Sequence, residues 1–321
     1  MASATEAASR QRHPRRRISG LILIDKPVGL TSNAVLQQVK RAFRAEKAGH
    51  TGTLDPLASG LLPICFGEAT KFAHGLLDAD KRYRAVLILG TTTETGDAEG
   101  KVLRERPVAV ARDDIERALS QFRGNIMQVP HRYSALKRQG RALYDYARAG
   151  ETVEIAARPV TIMKLDIVEW NVPRLTLDVC CSKGTYVRSL AEDIGDVLGC
   201  GAHLGALRRL AAGSFDIAGA IEPAQLESWT EQQRDAALLP LTTLVDGLPA
   251  AILVHDDALR FSRGQAVPAG VEQSEPGRLI AVWARCDAAT GGKEFIGVGR
   301  IEATSGATLL APVRLLASQA A

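Results

Sequence analysis

The chain has 321 residues, 46% hydrophobic and 24% charged, with 40 Lys and Arg against 36 Asp and Glu. That balance excludes a chain disordered throughout, and the length suits two domains at about 150 residues each. No apolar run approaches the roughly 18 residues of a membrane span. The first seventeen residues lack the apolar stretch of a secretory signal, and Cys65, Cys180, Cys181, Cys200 and Cys286 form no C-x-x-C pair, so a cytoplasmic protein with reduced thiols and no membrane is expected.

Residues 1–18 lack periodicity and read as a flexible basic tail; Arg10, Arg12, Arg15, Arg16 and Arg17 stand there against Glu6 alone. Subtracting that tail leaves a neutral body, so the global charge is no argument for a nucleic-acid partner. Local excess is a better one. Residues 121–150 hold Arg123, Arg132, Lys137, Arg138, Arg141 and Arg148 against Asp145, and 36–49 hold Lys40, Arg41, Arg44 and Lys47 against Glu46. Such patches are what phosphate binding would require, although by count alone a cluster of this size is more often a solvated face.

Gly20–Asp25 is a short apolar run suited to a buried strand. Thr31, Ser32 and Asn33 offer caps for a helix to about Ala45, with Val35, Val39 and Phe43 on one face. A Gly/Thr/Pro-rich loop is expected over Gly49–Pro63. Then follow a strand over Tyr83–Leu89, a helix over Asp113–Phe122 and a short helix over Arg141–Ala149. Val160–Trp170 and Arg174–Ser182 read as a hairpin about Asn171–Pro173. Thr185–Leu198 has helical spacing, Gly205–Ile217 reads as mixed and extended, and 218–246 as acid-rich turns.

A composition change near residue 248 separates a catalytic-sized domain, 19–247, from a small β-rich domain, 248–321. The latter is expected to hold one helix (Asp256–Arg263) and strands Arg278–Trp283, Phe295–Ile301 and Thr308–Leu315. Irregular alternation with hairpins favours an α+β fold with a largely antiparallel central sheet.

There is no G-x-x-x-x-G-K-[ST] phosphate loop. Gly199–Gly205 follows a helical segment with the wrong spacing for a dinucleotide fingerprint. Cys180 and Cys181 are adjacent in a strand and face opposite sides, so they make no zinc pair. No G-x-S-x-G elbow is present. The segment Gly49-His-Thr-Gly-Thr-Leu-Asp-Pro-Leu-Ala-Ser-Gly60 is different. Asp55 stands between Leu54 and Pro56, bracketed by glycines that permit close approach of a ligand. Partial desolvation would sharpen its basicity or nucleophilicity if a cation kept it ionised; an ordinary Asp-Pro turn would look the same.

That segment resembles the catalytic motif of the bacterial tRNA pseudouridine-55 synthase (TruB) family. Leu23–Ser32 (LIDKPVGLTS) is similar to the family's opening motif and Leu62–Lys71 to its continuation. Lys81-Arg-Tyr-Arg84 resembles its tyrosine motif, Pro130–Gly150 its basic insert, and Cys181–Arg188 its arginine motif. The similarity runs in order from about residue 19 to 215. Ser59, where the family often has Thr, and the tail before Ile18 depart from it.

The resemblance implies a pseudouridine-synthase core with a small C-terminal RNA-binding domain of the PUA kind. It implies a reaction that detaches uracil from ribose, rotates it and rejoins it through carbon, with no cofactor and no metal. Asp55 is then the essential carboxylate, as nucleophile or as base, and Arg188 the cation that keeps it ionised. Tyr83 and Tyr186 would pack on the extruded uracil, with Tyr83 also assisting proton removal. Leu207 would line the pocket, and His50, on the same loop as Asp55, would contact displaced bases. The insert 121–150 and the helix near 36–47 would hold phosphates of a tRNA T stem-loop. A monomer acting without guide RNA is expected; the rivals are a guide-RNA-dependent enzyme and an RNA-folding chaperone.

Overall fold

The computed structural model describes residues 14–134, 136–269, 275–286, 292–304 and 307–317. Most of the predicted basic tail lies outside them. The part described is not a free tail: the Arg16 backbone N–H donates to the Arg44 carbonyl at 2.8 Å, and its guanidinium bonds Asp235 at 2.5 and 3.1 Å.

Seven strands form the spine of the central sheet: β1 (Gly20–Lys26), β2 (Ala58–Phe66), β3 (Lys81–Leu89), β4 (Gly124–Gln128), β5 (Arg158–Asn171), β6 (Arg174–Cys181) and β7 (Ala202–Ala212). Their spatial order is β1-β2-β7-β3-β6-β5-β4, and two shorter strands, Ala48–His50 and Phe215–Asp216, pair with β2 and β7. Only β2 and β7 run parallel; the other pairs on the spine are antiparallel, the mixed sheet of an α+β fold.

The local causes are plain. In β6, Leu175, Leu177, Val179 and Cys181 alternate into the core and pack under the helix Val187–Val197, which buries Leu190, Ala191 and Ile194 against them. The helix Ser32–Ala42 is capped by Thr31, whose hydroxyl accepts from the Ala34 N–H at 3.0 Å, and buries Val35 and Val39 beside β1 and β2.

Three expectations need correction. The loop ends at residue 57, because Ala58 opens β2, a strand buried along most of its length despite Gly60 and Pro63. The extended segment begins at Ala202, so the glycines of Gly199–Gly205 belong to a helix-to-strand turn and a strand. The acid-rich turns 218–246 contain helices Pro223–Ser228 and Glu231–Ala236. Their acids face the basic helix: Glu231 bonds Arg44, and Glu227 accepts from Gln38 at 2.9 Å. Arg44 is thus ion-paired with Glu231 at the surface of the fold.

A second, five-stranded sheet holds Ala250–Leu253, Val267–Pro268, Leu279–Arg285, Lys293–Thr304 and Ala307–Leu315 around Phe261 of the helix His255–Ser262. It is consistent with a PUA-like module. It docks through Phe72, Phe295 and Trp283, an edge-to-face chain with ring centroids 5.3 Å apart at each step. Lys71 adds a hydrogen bond to the Leu315 carbonyl at 3.1 Å.

On the opposite face of β6, Asp178 is buried beneath Arg82 (2.6 and 2.9 Å) and Lys164 (3.0 Å). The hydrogen bonds from Arg82 hold its carboxyl below the usual aspartate range of about 3.9, so the stabilisation is complete above that value and fades as pH falls below it. Asp178→Asn should therefore cost about 1–3 kcal/mol at pH 7, and the gap to wild type should narrow in denaturant titrations repeated at pH 3.

Candidate active site

Asp55 occupies the loop 51–57 between the short strand Ala48–His50 and β2. The loop is fixed by its backbone. The buried Ser32 hydroxyl donates to the Leu54 carbonyl at 2.9 Å and accepts from the Leu54 N–H at 2.7 Å. Gly29 N–H donates to Pro56 O at 2.8 Å, and Ala58 N–H to Asp55 O at 3.0 Å. Gly60 has φ +102°, and a Cβ there would stand 2.3 Å from the Arg209 carbonyl oxygen, so this crossing of β2 and β7 admits only glycine.

Arg188, in the first turn of the helix Val187–Val197, reaches this loop. Its Nη2 lies 3.0 Å from Asp55 Oδ2 and also donates to the Tyr133 carbonyl at 3.0 Å. Its Nη1 donates to Thr95 O at 3.3 Å and lies 3.6 Å from Oδ2 of the buried Asp97. Asp97 is itself held by the Thr95 hydroxyl at 2.5 Å and the Glu99 N–H at 3.1 Å. The pair is asymmetric: the Arg188 side chain is 9% exposed and that of Asp55 47%. The cation is sealed in protein while the carboxylate faces outward.

Tyr186 stands two residues before Arg188. Its backbone is clamped by the buried Gln128, whose Nε2 donates to Tyr186 O at 3.1 Å and whose Oε1 accepts from Tyr186 N–H at 2.8 Å. Tyr83 lies on β3 opposite Arg209 of β7, and Leu207 pairs with Ala85 on one side and Ala58 on the other, which brings it within three residues of Asp55. Burial pushes both phenols up, and the Asp55 charge pushes each further, which ties the two rings to the carboxylate. Lys26, fully buried, donates to Pro27 O at 2.9 Å and Leu30 O at 2.5 Å. Burial lowers its pKa against the pull of Asp55.

Asp55, Arg188, Tyr83, Tyr186 and Leu207 thus converge. His50 differs: it closes the strand Ala48–His50 and does not stand on the Asp55 loop. Its ring is half-buried, its Nδ1 has no partner, and burial with the nearby Arg209 charge lowers its pKa. In the insert, Arg123 is consumed by the fold, on the Leu165 carbonyl at 2.7 Å and Glu116 at 2.7 Å. Arg141 and Arg148 lie over Tyr146 and Tyr144, 4.3 and 5.4 Å from the ring centroids.

Asp97, Arg209 and Gln128 are site neighbours that sequence reasoning passed over. Asp97 had a signal, a carboxylate in the glycine-flanked turn 95–100; an arginine within a strand has none, because it reads as solvent-facing. Among the described residues no group of three His, Cys, Asp or Glu is placed to hold a metal ion. Burial pushes the Cys65 and Cys181 thiols up to about 12, which leaves them unreactive.

The sheet and the site together define a pseudouridine-synthase core. Chains in the crystal structures of a Cbf5-Nop10-Gar1 complex and of the archaeal box H/ACA sRNP Nop10-Cbf5 complex superpose with TM-scores of 0.70 and 0.68, at 27% and 25% identity. Each match covers 92% of this chain, and 84% and 85% of the respective neighbour. The TruB family pseudouridylate synthase N-terminal domain matches residues 40–187, and the tRNA pseudouridylate synthase B C-terminal domain matches 188–246. The tRNA pseudouridine synthase B of Ralstonia nicotianae is 50% identical over 89% of this chain and 92% of its own length; that of Burkholderia mallei is 49% identical over 98% and 100%. The chain belongs to the TruB family of pseudouridylate synthases.

Because Ser32 satisfies both backbone groups of Leu54, Ser32→Ala leaves a donor and an acceptor buried and unpaired. A loss of about 1–3 kcal/mol in urea unfolding is expected, with proteolytic nicking first within 51–57.

Proposed function

We propose that this chain converts uridine 55 in the T loop of tRNA to pseudouridine, acting alone, as a monomer, with Asp55 as the essential carboxylate. The observation that carries the reading is the exposed face of Asp55 held 3.0 Å from a buried guanidinium. Arg188 keeps the carboxylate charged and aimed while leaving one side open to a sugar or base.

The reaction breaks N1–C1′, turns the uracil, forms C5–C1′ and moves a proton from C5 to N1. Its atoms balance within the substrate, so the chemistry calls for no redox partner. The target base is unpaired in a loop, which lowers the cost of flipping it out. Tyr83 and Tyr186 would pack on the extruded ring, Leu207 would wall the pocket, and Tyr83 would assist loss of the C5 proton. His50 would meet bases displaced by the flip. Lys137, Arg138 and their neighbours in 121–150 would grip phosphates, and a domain of 248–321 would bind RNA beside the catalytic domain 19–247. The relatives titled tRNA pseudouridine synthase B favour a tRNA substrate.

An unmodified tRNA transcript incubated with purified protein, without guide RNA, should gain one pseudouridine at position 55. Asp55→Ala should reduce that rate by about 10⁴-fold, and a failure of wild type to modify a transcript it binds would overturn the proposal. Asp97→Asn, which loosens Arg188 without touching Asp55, should lower kcat by about 100-fold with little change in KM.

A further inference from the structure

Arg209 is the largest fully buried side chain among the described residues, 1% exposed. Its Nε donates to Leu61 O at 2.7 Å and its Nη2 to Gly52 O at 3.2 Å. Among the described residues it has no carboxylate partner at ion-pairing distance, unlike Arg208, which bonds Asp25 at 2.5 and 3.0 Å on the other face of β7. An isolated buried cation is costly, and arginine cannot shed its proton to escape the cost. The charge must answer to something that is polar or negative during turnover.

Two neighbours identify it. Arg209 holds the carbonyl of Gly52, three residues before Asp55, and it is the cross-strand partner of Tyr83. We infer that Arg209 is a positioning residue that anchors the Asp55 loop and holds an uncompensated guanidinium against the Tyr83 phenol, so that this phenol can take the C5 proton of the rearranged uracil. The inference rests on the role of Tyr83 proposed above. After C5–C1′ has formed, the Tyr83 oxygen, as phenolate, accepts the C5 hydrogen as a proton. The C5–H pair becomes the C5=C6 bond, the N1=C6 pair passes to N1, and N1 takes a proton from water. The phenol returns its proton to solvent. Burial alone opposes the phenolate, and the Arg209 charge works in the other direction.

The test compares Arg209→Gln, which keeps donors but removes the charge, with Arg209→Lys, Tyr83→Phe and the double variant Tyr83→Phe/Arg209→Gln. The substrate is a tRNA transcript carrying uridine or 5-deuterouridine. Arg209→Gln should lose about 100-fold in kcat at pH 7, regain about tenfold of it by pH 9, and show a C5 deuterium isotope effect of about 2 or more that wild type lacks. Arg209→Lys should lie between the two, and the double variant should be within about twofold of Tyr83→Phe. A loss independent of pH, without an isotope effect, or additive with Tyr83→Phe would overturn the inference. Should Arg209→Gln fail to fold, the isotope effect in Arg209→Lys decides, and its absence overturns the inference equally. If Tyr83→Phe itself keeps the wild-type rate of C5–H loss, it is the proposed role of Tyr83 that fails.

Discussion

Everything near the loop 51–57 is arranged around one sealed guanidinium. Arg188 is 9% exposed, and a buried cation is tolerated only when its donors are met. Its acceptors come from three separate stretches of chain, Asp55 from the loop, Thr95 and Asp97 from the turn beyond β3, and Tyr133 from the basic insert, while the helix Val187–Val197 carries the cation to them. Removing any one leaves a donor without a partner in low dielectric. The site therefore couples elements that no sheet pairing connects, and the carboxylate inherits its orientation from all of them.

The sheet supplies the second constraint. β2 and β7 are the one parallel pair on the spine, and they touch over only three residue pairs, Leu207–Ala58 to Arg209–Gly60. There the chain leaves the Asp55 loop and enters the core. The Gly60 backbone passes so near Arg209 that no side chain fits, and the Arg209 side chain returns across the crossing to Gly52. The loop is thus clamped from the helix side by Ser32 and from the sheet side by Arg209. A loop built this way owes its geometry to rigid elements rather than to its own sequence.

This division explains what could be read from the residues alone. The β5–β6 hairpin and the helix Ser32–Ala42 were legible because alternation and capping act locally: Leu175, Leu177 and Val179 repeat every second residue, and Thr31 precedes an amphipathic run. Asp55, Arg188, Tyr83, Tyr186 and Leu207 were legible through motif resemblance, and the structure brings them together. β2 was half hidden because it is buried nearly throughout, so it lacks alternation, and Gly60 and Pro63 read as breakers. The helices over 223–236 were missed because each is six residues, less than two turns, and is held by tertiary pairing with Arg16, Arg44 and Gln38. Arg209 was invisible for the same reason, because its contacts exist only between distant segments; Asp97 carried only the weak signal of its glycine-flanked turn.

Charge separates the site from the surface that would capture RNA. Around the loop stand three acids, Asp55, Asp97 and Glu99, and three bases, Lys26, Arg188 and Arg209, the last with no carboxylate at ion-pairing distance among the described residues, so the net charge is zero. The strain of this balance shows at its margin, where burial and then the Asp97 and Asp55 charges raise the Glu99 pKa. A neutral site does not draw a polyanion, and an exposed carboxylate in its centre repels one. Under the proposed function, attraction would come from cations outside it, such as the exposed Lys137 of the insert. Affinity and chemistry would then be carried by different residues. Salt would screen the first and leave the second nearly untouched, because the Arg188–Asp55 pair is protected from solvent on its cationic side.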